Sequence, residues 1–267
     1  MKIQKQQAFA AEKRITMDSI KVSSISKSYA YQDLDIVVDH ARKPSRSRTV
    51  LQDLSLEFPI GHLTVIVGRS GCGKSTLLKL LDGTEKADSG SIELPERWYT
   101  ATLRPDPYVI TWTSVLRNVE MSVGAGRSPE ERHALAEELI RLVQLGDYLD
   151  VTPLELSTGM KQRLGLARVL ASRAQILLLD EPFASLDFIT REELQQVLLQ
   201  LQSRMPRTII LVTHQLEEAL LLAEKIVVMH PDSTVREFDL TGFAYPRDLE
   251  QPAMRALKEE IASECRK

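Results

Sequence analysis

Cysteine is almost absent from this 267-residue chain, which has only Cys72 and Cys265. Two isolated thiols exclude a disulfide framework and fit a reducing compartment. No run of about 20 apolar residues occurs, so no segment is built to span a bilayer as a helix. The first residues carry no apolar stretch of the secretory kind, and the expected location is the cytoplasm. A dominant charge sign is missing too. Against 34 Lys and Arg stand 37 Asp and Glu, a formal net charge of −3, which argues against a general nucleic-acid binder. There is no internal repeat and no low-complexity tract. At 43% hydrophobic residues, the chain can bury a sizeable core as one large domain or a domain with a subdomain.

Glycine is sparse, yet three of the 12 fall close together in Gly68-Arg69-Ser70-Gly71-Cys72-Gly73-Lys74-Ser75-Thr76. This stretch fits G-x-x-x-x-G-K-[ST], the phosphate-binding loop. Leu63-Thr64-Val65-Ile66-Val67 before it reads as a buried strand, and Leu77-Leu78-Lys79-Leu80-Leu81 after it as the start of a helix. The glycines let the backbone curl so that its N–H groups converge on phosphate oxygens, and the helix N-terminus adds partial positive charge. Lys74 would reach the β and γ phosphates, and the Ser75 hydroxyl would sit on Mg²⁺. Cys72 reads as a small filler of the loop.

The flanking chain alternates. Residues 1–17 are polar and basic and read as a flexible arm. Residues 20–29 read as a strand ending at Tyr29. In the segment 30–48, Asp33, Asp35 and Asp39 lead into Arg42-Lys43-Pro44-Ser45-Arg46-Ser47-Arg48. It reads as a solvated loop or hairpin; the functional alternative is contact with an acidic partner or anionic lipid head groups. Residues 51–58 read as another strand. Arg104-Pro105-Asp106-Pro107 breaks any regular element, and helical stretches follow near 114–122 and 129–145, the second opened by Ser128-Pro129-Glu130-Glu131. From Leu156 onward, helices at 162–172, 192–204 and 216–223 alternate with strands at 176–179, 208–212 and 226–229. Such alternation predicts a parallel sheet covered on both faces.

Two of those strands end in chemistry. Ile176-Leu177-Leu178-Leu179 is wholly apolar and runs into Asp180-Glu181-Pro182. Ligands of a parallel sheet bind at the carboxyl ends of its strands, so Asp180 is placed to hold Mg²⁺ and Glu181 to position or deprotonate an attacking water. The strand 208–212 ends in Thr213-His214, an imidazole placed to contact a γ-phosphate and the water.

The order of these motifs resembles the ATP-binding subunit of ABC transporters, over roughly residues 18–250. Leu156-Ser157-Thr158-Gly159-Met160, followed by Lys161-Gln162-Arg163, is similar to the signature L-S-G-G-[QM]-x-Q-R that separates this family from other phosphate-loop ATPases. Tyr29 sits where the family has the aromatic residue stacked on adenine. Ala184-Ser185-Leu186-Asp187 resembles the D-loop, and His214 the switch histidine.

The resemblance implies an α/β P-loop NTPase fold with a RecA-like parallel sheet core. To this it adds an N-terminal antiparallel β subdomain, an inserted α-helical subdomain at about 106–160 and a C-terminal helix or tail at 251–267. Gly68, Arg69, Ser70, Gly71, Cys72, Gly73, Lys74, Ser75 and Thr76 would hold ATP with Tyr29, while Ser75 and Asp180 would hold Mg²⁺. Glu181, His214 and Lys74 would be catalytic. Ser157, Gly159 and Asp187 would complete the site from a second ATP-binding subunit. The implied partners are transmembrane permease subunits and, through them, an extracytoplasmic solute-binding protein; nucleic acid is not among them. The expected place is the cytoplasmic face of the membrane, and the work is ATP-driven transport.

Two positions depart from the family pattern. Counting back from Trp112, the glutamine expected where the sheet enters the helical subdomain falls on Pro105, with Asp106 beside it as a substitute. Thr158 replaces a glycine, which narrows the space beside the γ-phosphate and resists positive φ. Trp112 reads either as a core aromatic or as a contact for the membrane subunit. Residues 238–248 are similar to the end of importer subunits for nitrate, sulfonates and taurine. Two alternatives stand: an ATP-binding switch with weak or no hydrolysis, favoured by Pro105 and Thr158, and a soluble non-transport ABC ATPase.

Overall fold

A computed structural model describes residues 17–31 and 46–267. The arm and most of the charged segment, from residue 32 to 45, lie outside the described residues. The two flanks of that segment are strands. β1 (Ser19–Tyr31) and β2 (Arg46–Pro59) pair antiparallel, with Tyr29 opposite Arg48 and Tyr31 opposite Arg46. Both strands therefore run past the boundaries expected from the sequence. A later strand, β4 (Ser89–Glu93), joins the other edge of β1 to complete a three-stranded antiparallel sheet.

The second sheet has six strands in the order β5-β6-β7-β3-β8-β9. Its members are β3 (Leu63–Val67), β5 (Thr100–Leu103), β6 (Ile176–Asp180), β7 (Thr208–Val212), β8 (Lys225–Met229) and β9 (Val235–Asp239). Five run parallel, as the alternating pattern predicts; β9 alone is antiparallel, because a short turn joins it to β8. Every residue of β3, β6 and β7 is buried. Their side chains alternate between two cores, as the period of two requires. Val65, Leu177, Leu179, Ile209 and Leu211 face one core, with Leu194, Leu220 and Ile261 from the covering helices. Ile66, Leu178, Ile210 and Val212 face the other, with Leu77 and Leu78 and with Ile20 and Phe58 of the antiparallel sheet.

The helices are α1 (Lys74–Leu81), α2 (Val115–Glu120), α3 (Pro129–Leu142), α4 (Thr158–Ala171), α5 (Phe188–Arg204), α6 (Leu216–Leu222) and α7 (Pro252–Arg266). α4 and α5 each start four residues earlier than the apolar pattern suggests. Side-chain caps explain both shifts. The Ser157 hydroxyl accepts from the Met160 N–H at 3.3 Å, and the Asp187 carboxylate accepts from the Thr190 N–H at 3.0 Å. Each cap satisfies a backbone donor that the helix start leaves free. Asn118, fully buried, fastens the stretch before α2: its amide exchanges hydrogen bonds with the Ile110 N–H and C=O at 2.8 and 2.9 Å.

The segment after β9 is clamped by Arg247. Its buried guanidinium donates to the carbonyls of Leu220 (2.9 Å), Leu240 (3.0 Å), Phe243 (3.3 Å) and Ala223. It also stacks at 4.2 Å on the ring of Tyr245. A cation at the carbonyl end of α6 is favoured by the helix dipole. Arg247→Ala is expected to lower the free energy of unfolding by about 3 kcal/mol, since several buried acceptors lose their donor; chemical denaturation measures this.

Candidate functional site

The phosphate loop leaves β3 at Gly68 and enters α1 at Lys74. Gly73 has φ 104, and a Cβ there would stand 2.5 Å from Leu51 Cδ2; a Cβ on Gly68 would stand 2.3 Å from the Met229 carbonyl oxygen. A larger residue at Gly68 would press on the backbone at the end of β8, and at Gly73 it would crowd Leu51 and be held at a φ that side chains rarely adopt. Lys74 is buried beneath the loop, where its ammonium donates to the Gly68 and Arg69 carbonyls at 2.7 and 3.0 Å. Cys72 is buried in the core, in keeping with its reading as filler.

β6 delivers Asp180 at its last position, only 7% exposed. Burial raises its pKa; the Ser75 hydrogen bond opposes this, the Glu181 charge adds to it, and Lys74 and Lys79 oppose it again. One carboxylate oxygen, Oδ1, has no partner among the described residues. A buried, unpaired carboxylate oxygen beside a serine hydroxyl is a hard oxygen set of the kind Mg²⁺ takes, with phosphates and water completing the shell. Among the described residues, no group of three His, Cys, Asp or Glu forms a self-contained metal site. A cation that draws most of its shell from its ligand does not need one.

Glu181 follows in the left-handed region at φ 50, a conformation costing roughly 1–2 kcal/mol in a residue with a side chain. Its N–H is tied to the Val212 carbonyl at 2.9 Å. The bend turns its carboxylate toward His214, whose Nδ1 lies 2.9 and 3.0 Å from the two carboxylate oxygens. A carboxylate partner makes Nδ1 the donor and leaves Nε2 as the free nitrogen.

These parts line one cavity of about 900 Å³ with Tyr29, Arg48, Val50, Ser70, Gly71, Gly73, Lys74, Ser75, Thr76 and Pro105. The fold thus brings together Tyr29, the phosphate loop, Asp180, Glu181 and His214. Ser157, Gly159 and Asp187 are not on its wall; within this chain, Ser157 and Asp187 serve as helix caps. Pro105 lines the cavity, whereas Asp106 is exposed and absent from the wall, so the expected substitute for the missing glutamine is not in place. Thr158 sits in the first turn of α4 without positive φ, so the backbone strain anticipated there does not arise. Trp112 is 79% exposed and Tyr108 82%, which excludes a core role for Trp112.

Sequence reasoning missed several groups. Gln162 is buried, and its amide nitrogen reaches the Glu181 carbonyl at 3.4 Å, tying α4 to the bend after β6. Its place in the Gln162-Arg163 pair after the signature-like stretch was the available signal. Glu218 is buried, accepts from Gln195 at 3.0 Å, and has a pKa raised by burial; nothing in the pattern of α6 singles it out. Arg48, part of a basic run in the sequence, lines the cavity.

The ABC transporter family profile matches residues 51–184. The aliphatic sulfonates import ATP-binding protein of Rhodopseudomonas palustris is 38% identical over 231 residues, covering 85% of this chain and 82% of that protein. The chain belongs to the ABC transporter family. The taurine import ATP-binding protein of Rhizobium johnstonii is 37% identical over 246 residues, covering 84% of this chain and 94% of that ABC protein. The bicarbonate transport ATP-binding protein of a Synechocystis species is 38% identical over 212 residues, with 75% of each covered. In three dimensions the chain matches a dimeric ATP-binding cassette in a post-hydrolysis state bound to ADP and Pi. The TM-score is 0.72 at 27% identity, covering 84% of this chain and all of that one. As an ABC transporter ATPase, the chain binds and hydrolyses ATP.

Asp180→Asn removes the buried charge. It is expected to raise the melting temperature of the nucleotide-free protein by roughly 2–4 °C, the equivalent of about 1 kcal/mol, and to abolish the Mg²⁺ dependence of nucleotide binding. Thermal melts with and without Mg²⁺ and nucleotide measure both.

Proposed function

We propose that this chain is the ATP-hydrolysing subunit of an importer for a small solute of the sulfonate or taurine kind, acting as a head-to-tail pair of subunits. One observation carries the catalytic part: Lys74, Asp180, Glu181 and His214, from three different strand ends, meet on one cavity. ATP stacks its base on Tyr29 and places its terminal phosphates in the loop 68–76. Lys74, now bonded to loop carbonyls, exchanges them for phosphate oxygens. Ser75 and Asp180 would hold Mg²⁺, which when bound would supply charge neutralisation for in-line displacement. Glu181 orients the attacking water and takes its proton, and His214 holds the Glu181 carboxylate in place beside the γ-phosphate.

The site needs a second copy or a paralogue. Ser157 and Gly159 stand at the N-terminus of α4, away from this chain's own cavity. A helix N-terminus suits an anionic phosphate, and the partner's signature loop supplies it in trans. Exposed Phe188 and Ile189, each 67% exposed beside Asp187, support such a contact. Closure on ATP and reopening after hydrolysis drive the membrane partners. No helix among the described residues is long and apolar enough to cross a membrane. In this reading the pore belongs to permease subunits, and the chain docks on them at the cytoplasmic face. Exposed Tyr108 and Trp112 are the contact for them. A solute-binding protein acts through that permease. The relatives named above act on sulfonates, taurine and bicarbonate, which supports a small anionic or zwitterionic cargo.

Glu181→Gln is expected to keep ATP binding and lower turnover at least about 100-fold, while Lys74→Ala weakens ATP binding itself. Normal turnover in Glu181→Gln would overturn the assignment. The weak-hydrolysis reading is favoured by Pro105 on the cavity wall. Pro105→Gln, which restores a polar side chain there, is expected to raise steady-state hydrolysis several-fold, whereas Asp106→Ala leaves it unchanged; phosphate release assays decide between them.

A further inference from the structure

The cavity wall carries a cation to which the roles above assign nothing. We infer that Arg48 is a further nucleotide-binding residue whose guanidinium holds the α-phosphate between Tyr29 and the phosphate loop. The inference rests on the reading of this cavity as the ATP site.

The β1–β2 register sets Arg48 directly opposite Tyr29, and cross-strand partners share one face of a sheet. Both side chains line the cavity. Arg48 Nη2 lies 4.0 Å from the point where a Cβ on Gly71 would stand, so the guanidinium reaches from the antiparallel sheet to the crest of the loop. The two cations differ in place: Lys74 is buried beneath the loop and bonded to its carbonyls, while Arg48 is exposed over it.

Tyr29 has one ring face occupied. The Lys27 ammonium stands 5.3 Å from its centroid and is anchored by a 2.7 Å bond to the Lys86 carbonyl and an ion pair to Glu85 at 3.4 Å. One face remains for a base. A nucleotide with its base on that face and its terminal phosphates in the loop must span the ground between them with its ribose and α-phosphate, and Arg48 bridges that ground. The planar guanidinium fork offers two parallel N–H donors that match phosphate oxygens. Arg48 therefore contacts only what ATP and ADP share, while Lys74 also reaches the γ-phosphate that distinguishes them.

The test is calorimetric titration of the purified full-length chain with ATP and with ADP, in Mg²⁺, for wild type, Arg48→Ala, Arg48→Lys and Lys74→Ala. Arg48→Ala is expected to weaken both nucleotides by the same factor, about tenfold, with a shallower salt dependence. Arg48→Lys recovers part of the loss, because the charge stays and the fork is gone. Lys74→Ala weakens ATP more than ADP. Wild-type affinity of Arg48→Ala for both nucleotides, or a loss confined to ATP, overturns the inference while Lys74→Ala still shows its defect. Wild-type binding by Lys74→Ala as well would bring down the ATP-site reading itself. Melting temperatures without nucleotide confirm that the variants are folded, and Arg48→Lys keeps the aliphatic stem if Arg48→Ala does not fold.

Discussion

The site depends on the level alignment of three parallel strands. Ile66 of β3 and Asp180 of β6 both pair with Val212 of β7. The phosphate loop, the acidic pair and His214 each leave the sheet within two residues of that line. The alignment is enforced from both sides, because the three strands are buried on both faces. A slip of one residue in any of them would swap that strand's side chains between the two cores, and in β6 it would turn Asp180 to the opposite face. The apolar alternation that holds the fold together thus also sets where the catalytic groups emerge.

The charges at that edge are arranged as a set of incomplete pairings. Lys74 is satisfied by loop carbonyls, Asp180 keeps a bare oxygen in a buried place, and Glu181 occupies a strained backbone while bonded to His214. Each of these is costly or replaceable in the isolated chain, and each is improved by a phosphate, a divalent cation or a water to be activated. A site whose groups gain from ligand stores part of its binding energy as local strain and desolvation. Pro105 is the exception. It closes the wall with a ring that can neither donate nor ligate, and Asp106 does not reach round it.

Most of the fold was legible in the sequence because the buried strands are short, wholly apolar and separated by amphipathic helices. The phosphate loop, Asp180 and His214 were legible for the same reason: each follows directly on such a strand. The starts of α4 and α5 were not, because Thr158-Gly159-Met160-Lys161 and Phe188-Ile189-Thr190-Arg191 carry no buried stripe. Capping by Ser157 and Asp187, not burial, begins those helices. Gln162 and Glu218 escaped notice because a buried polar residue on a helix looks like any solvated one until its neighbours are known. Arg48 was hidden in a basic run whose meaning depends on the strand opposite.

By itself the sequence determined the order of the helices and of the buried strands (β4 and β9, mostly exposed, carry no such pattern), the residue types at the buried strand ends and the family, because these are local matters of periodicity and motif spacing. Tertiary structure decided which strand ends lie side by side, that Pro105 and not Asp106 faces the cavity, and that Arg48 stands across from Tyr29. Those are distances between segments far apart in the chain. They follow from register and packing, which no local pattern of residues encodes alone.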